Sequence, residues 1–129
     1  MDSGGTVMFS RAEWIARCRV FPGAYEDYPF DEDQNAADAW TVMRHRGNRR
    51  SFALLFERNG FLNINVKCEP MEAQFLRQVY PCVTPAYHMN KEHWNGIRLD
   101  GSVPDPLIEE WIAASYRLTA PKRKMKKQP

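Results

Sequence analysis

A chain of 129 residues that is 43% hydrophobic and 12% aromatic can bury one substantial core but is too short for two. Its 18 Lys and Arg against 16 Asp and Glu give a formal net charge of only +2, which excludes a uniformly basic nucleic-acid surface. No run approaches the roughly 18 to 20 apolar residues needed to cross a bilayer, and the N-terminus has neither a basic start nor an apolar signal core, so a soluble, cytoplasmic protein is expected.

Ser10 followed by Glu13 forms a capping box, and Trp14, Ile15, Cys18 and Phe21 recur at helical spacing, which predicts a helix over 11–20 ended by Pro22 and Gly23. From Glu26 to Asp38 the chain carries six acids and no basic residue, as expected of a solvated loop. Three strands are predicted at 40–45, 51–57 and 61–68, the last two joined by an Asn59-Gly60 hairpin turn. In the last strand Leu62, Ile64, Val66 and Cys68 alternate with Phe61, Asn63, Asn65 and Lys67, giving one apolar face and one mostly polar face. Pro70 opens a helix whose apolar side reads Phe75, Leu76, Val79 and Tyr80, and Pro81 stops it. Two short strands follow around the aromatic segment 87–99. Asp105 then caps a last helix with Pro106 at its first position and a stripe of Leu107, Trp111, Ala114 and Leu118.

The order predicts an α+β two-layer sandwich, an antiparallel sheet with helices packed on one face, as a single domain over 1–120. Residues 121–129 hold Lys122, Arg123, Lys124, Lys126 and Lys127, a basic tail too poor in apolar residues to fold alone. Without those five, 13 basic residues face 16 acidic ones, so any positive patch on the body is local. Cys18, Cys68 and Cys82 form no CxxC pair and are expected to be reduced, buried thiols.

The run FALLFERNGFLNINVKCEP, and later YHMNKEHWNGIRLDGSVPDPLIEEWIAASY, resembles the MmcQ/YjbR family of small bacterial proteins across most of 40–116. The matching positions are Phe52, Ala53 and Leu54, then Lys67 with Pro70, then His88, Asn90, Lys91, His93 and Trp94, and Ser115 with Tyr116. The resemblance implies a fold similar to the bacterial frataxin homologue CyaY and DNA binding through two projecting β-hairpins, or wings. Where the family has a His-Pro-Phe-Gly-like segment, this chain has Tyr28, Pro29, Phe30 and Asp31.

Four arginines, Arg44, Arg46, Arg49 and Arg50, lie within seven residues at the first hairpin, with Gly47 and Asn48 to make a tight tip. Guanidinium groups there can meet phosphates, and Lys67, Lys91 and Arg98 extend the track, with His93 and Trp94 offering rings for stacking. DNA is therefore the expected partner. A protein-interaction module over 87–98, anchored by Tyr87 and Trp94 with Trp40, explains the same aromatics. A third reading is weak divalent-metal binding by Glu26, Asp27, Asp31, Glu32 and Asp33, although a calcium-loop spacing is missing. No catalysis and no cofactor are expected: His45, His88 and His93 are the only candidate general bases, and no glycine-rich phosphate loop or nucleophile elbow occurs.

Overall fold

Ser10 Oγ accepts a hydrogen bond from the Glu13 N–H at 3.2 Å, satisfying one of the orphan donors that every helix start exposes. Helix α1 (Arg11–Arg19) follows and buries Trp14 and Cys18. The computed structural model describes residues 10–31 and 39–122, so Glu32, Asp33, Asp38 and the tail from Arg123 onward lie outside the described residues. Next come β1 (Ala24–Asp27), β2 (Thr41–His45), β3 (Ser51–Arg58), β4 (Phe61–Lys67), α2 (Pro70–Val79), β5 (Val83–Pro85), β6 (Trp94–Arg98) and α3 (Asp105–Thr119).

The strands form a six-stranded sheet in the order β1-β2-β3-β4-β6-β5, and every neighbouring pair is antiparallel. Asn59 and Gly60 take φ of 54° and 83° at the β3–β4 turn, the left-handed pair that matches strand twist in a two-residue hairpin. Strand β1 lies partly where a loop was expected. Its sequence, AYED, has no hydrophobic alternation, and it is held through its partner, with Tyr25 opposite Arg44 and the Asp27 carboxylate 2.7 Å from Arg44 Nε.

All three helices pack on one face of the sheet, over a core that includes Trp14, Leu55, Ile64, Val66, Ile97 and Trp111. The predicted stripe of α3 is displaced by one residue. Ile108, Trp111, Ile112, Ser115 and Thr119 are buried while Leu118 is 39% exposed. Asp105 is the first residue of α3 and not its cap, and its carboxylate pairs with Arg17 of α1 at 3.1 Å. In α2 it is Ala73 and Leu76 that are buried, and Phe75 and Val79 face outward, contrary to the predicted apolar side.

Met43 pairs with Ala53 but Arg44 pairs with Ser51, so Phe52 is the extra residue of a bulge in β3. The bulge puts Phe52 into the helix-side core beside Ala53. Its carbonyl accepts from Ser115 Oγ at 2.6 Å, and Ser115 Oγ in turn accepts from the Lys67 N–H at 2.8 Å. One fully buried hydroxyl thus ties α3 to β3 and β4. Ser115→Ala is expected to cost about 2 kcal/mol, because it leaves a buried amide without its acceptor, read as a lower urea midpoint at unchanged slope.

Candidate nucleic-acid interface

Antiparallel register brings the β2–β3 tip, the last residue of β4 and the first of β6 to one end of the sheet: Arg44 lies opposite Ser51, and Lys67 opposite Trp94. The C-terminal turn of α3 reaches the same end. Asn48 Nδ2 donates to the Thr119 carbonyl at 3.0 Å, while its Oδ1 accepts from the Arg50 N–H at 3.0 Å. Gly47 sits so close to Pro121 that a Cβ there would lie 2.8 Å from the proline ring, so only glycine fits. The hairpin is therefore tied to the end of α3, and Lys122 leaves the fold beside it.

Elsewhere on the described surface several cations are neutralised by carboxylates, and Arg58, Arg77 and Lys91 are instead engaged by the Tyr87 ring and by neutral acceptors of the β5–β6 loop. Arg17 binds Glu13, Asp105 and Glu109, Arg19 binds Glu26, and Arg98 binds Asp100. Among the described residues no carboxylate pairs with Arg46, Arg49, Arg50, Lys67, Arg117 or Lys122, all at this one end, and all but half-buried Lys67 are exposed. Arg44 is paired and fixed, with Asp27 on Nε and the Arg49 carbonyl 2.9 Å from Nη1. With Tyr25, Asp27, Arg46 and Arg49 it lines a polar concavity of about 520 Å³, in which the Arg46 guanidinium lies 5.4 Å from the Tyr25 ring centre. Guanidinium groups in such a cluster suit the bidentate geometry of phosphate oxygens. Arg117 was missed in the sequence, where it is only one basic residue in the last turn of a helix.

The aromatic segment is arranged differently from a projecting wing. The Tyr87 carbonyl accepts from Asn65 Nδ2 of β4 at 3.2 Å, laying the β5–β6 loop over the outer sheet face. There Trp40 stacks on Phe56 at 4.0 Å, Tyr87 packs 6.3 Å from Trp40, and the Arg58 guanidinium covers Tyr87 at 3.9 Å. Arg77 braces the loop from α2, donating to Asn95 Oδ1 at 2.6 Å and to the carbonyls of Lys91 and Trp94. Trp94 is only 9% exposed, so its ring serves packing and is not open for stacking. Lys91 is exposed and bonded to the Ala86 carbonyl, His93 is half-buried, and Arg98 lies at the opposite end of the sheet.

The acids of the entry segment are engaged within the protein: Glu26 by Tyr28 and Arg19, Asp27 by Arg44, and Asp31 by the Trp40 N–H. Among the described residues no three His, Cys, Asp or Glu converge as a metal group. Burial pushes the Cys18 thiol up to about 12 and Cys68 to about 11, so both stay protonated at neutral pH. None of the helices among the described residues is long and apolar enough to cross a membrane.

His45 is buried between Phe52 and Tyr116, with Nε2 2.8 Å from Thr119 Oγ1, whose own proton goes to the Ser115 carbonyl. Desolvation first, and Arg50 second, hold its pKa below the ordinary 6.5 against the opposing effect of a Tyr116 backbone hydrogen bond. Below pH 6.5 the unfolded chain therefore binds a proton that the folded one refuses. The His45 contribution to stability is full above that pH and declines as pH falls toward the lower folded value. Chemical denaturation between pH 7 and 5 is expected to show that decline, and His45→Gln to flatten it.

A family model described as YjbR matches residues 19–118. The chain is 31% identical over 106 residues to the uncharacterised protein YjbR of Escherichia coli K12, covering 82% of this chain and 83% of that one. It is 30% identical over 122 residues to the uncharacterised YyaQ of Bacillus subtilis, covering 87% and 99%. Among solved structures it is similar to Deinococcus radiodurans DR2400, described as a DUF419 domain, with TM-score 0.76 and 31% identity over 95% of this chain and 86% of that one. A Pseudomonas syringae protein gives TM-score 0.73 and 28% identity, covering 86% and 99%. With a family match over that span and relatives at this identity and coverage, the chain belongs to the YjbR family.

Proposed function

We propose that this protein is a cytoplasmic, non-enzymatic DNA-binding protein that uses the sheet end built by the β2–β3 tip and the C-terminal turn of α3. The observation that carries the reading is the concentration of unengaged charge: elsewhere Arg11, Arg17, Arg19 and Arg98 are matched to carboxylates, and Arg58 and Arg77 are engaged by the Tyr87 ring and by loop acceptors, whereas Arg46, Arg49, Arg50, Arg117 and Lys122 stand exposed together without a carboxylate partner among the described residues. A protein gains little stability from such a cluster, and a polyanion gains a binding site. These are phosphate contacts, which position a duplex without reading its sequence, so weak base preference is expected. Pro121 lies against Gly47, so the basic residues that follow it in sequence begin at this end and add phosphate affinity without base readout.

Adding duplex DNA to ¹⁵N-labelled protein tests the location. Shifts should concentrate at 44–51, at Lys67 and at 117–122, leaving the N-terminal half of α1 and the Asn59-Gly60 turn still. Shifts centred on Tyr87 and Arg58 would move the interface to the outer sheet face and refute this placement.

A further inference from the structure

Helix α2 carries a stripe that the fold does not use. Met71, Phe75 and Val79 are 85%, 58% and 47% exposed, and their spacing of four residues puts them on one side of the helix. Beside the stripe an apolar groove of about 330 Å³ between α2 and α3 is floored by Leu76, Trp111 and Leu118, so the apolar surface extends beyond one helix. Exposed Met and Phe in a continuous patch mark an interaction surface.

We propose that α2 is a self-association surface, with two copies of this chain pairing their α2 helices antiparallel about a two-fold axis at Phe75. The flank chemistry selects a second copy. On one side of the stripe lie Gln74 and Gln78, exposed and without partners among the described residues. An amide both donates and accepts, so a Gln flank satisfies its own copy, where a flank of Lys or Glu would repel it. On the other side Glu69 and Glu72 share the groove with Lys67 and Arg117, two cations that offset the two carboxylates across the axis. Antiparallel pairing sets Met71 against the partner's Val79 and Phe75 against the partner's Phe75, and it also aligns the helix dipoles favourably.

Sedimentation of the full chain from micromolar to millimolar concentration tests this. The weight-average mass should rise toward twice the monomer, and Phe75→Lys, which sets two ammonium groups face to face, should stay monomeric with an unchanged circular dichroism spectrum. Phe75→Cys should oxidise to a covalent dimer far faster than Thr84→Cys, an exposed site on β5, since Cys18, Cys68 and Cys82 are buried and give little background. A wild-type mass that stays monomeric, a dimer that survives Phe75→Lys, or equal rates for the two cysteine variants would each overturn the proposal.

Discussion

Replacing Arg46, Arg49 and Arg50 together by alanine is expected to weaken duplex binding by a few hundred-fold at about 0.1 M salt. Each phosphate contact contributes about 0.9 to the slope of log affinity against log salt, so losing three lowers the slope by about 2.7. Referred to about 1 M salt, where this term vanishes, that slope is worth about 500-fold at 0.1 M. All three side chains are exposed and none is in an ion pair with a described carboxylate, so the fold should lose less than about 0.5 kcal/mol. Arg44 is left out deliberately: removing it would orphan Asp27 and loosen β1, confusing binding with stability. Anisotropy of a labelled duplex across a salt series measures both affinity and slope. An unchanged slope would mean that the tip does not touch phosphate.

Phe52→Ala is expected to cost about 3–5 kcal/mol, the largest stability effect of any single change considered. Phe52 is 0% exposed and its ring meets three others, Phe21 at 5.9 Å, His45 at 5.2 Å and Tyr116 at 5.2 Å. Tyr116 also stacks on Phe21 at 4.7 Å and donates its hydroxyl to the Pro22 carbonyl, so this cluster joins the end of α1, the root of the arginine hairpin and α3. Truncation leaves a cavity that a bulged strand held by Ser115 has little freedom to close. The urea midpoint should fall at unchanged slope, and hydrogen exchange should accelerate first across 45–52. A loss below about 1 kcal/mol would show that the hairpin root is held by backbone pairing and not by these rings.

The parts of this fold that were legible from sequence are those specified by local chemistry. Ser10 with Glu13, Asn59 with Gly60 and the alternation in β4 each encode their own geometry within a few residues. Strand β1 was not legible, since AYED has no strand pattern and forms because Arg44 neutralises Asp27 from the next strand. The faces of α2 and α3 were misread for a related reason: periodicity marks an apolar side, but only packing decides which apolar residues the sheet covers. Phe75 and Leu76 are adjacent and equally apolar, yet only Leu76 meets the core. Within the site, the tip arginines were visible as a run, while Arg117 joined them only through the docking of α3, and the placement of Arg98 at the far end depended on strand register. The burial of Trp94 follows from a loop folding back over the sheet, which spacing alone does not encode.

Separating the folded end from the tail tests the binding site most directly. Duplex affinity would be measured across a salt series for the full chain with Lys122, Arg123, Lys124, Lys126 and Lys127 changed to Gln, with and without the three tip arginines. Binding should persist in the tail-neutral protein, with a reduced salt slope, and vanish when Arg46, Arg49 and Arg50 are also removed. If neutralising the tail alone abolishes binding, the folded end holds no DNA site and its unmatched arginines serve another purpose.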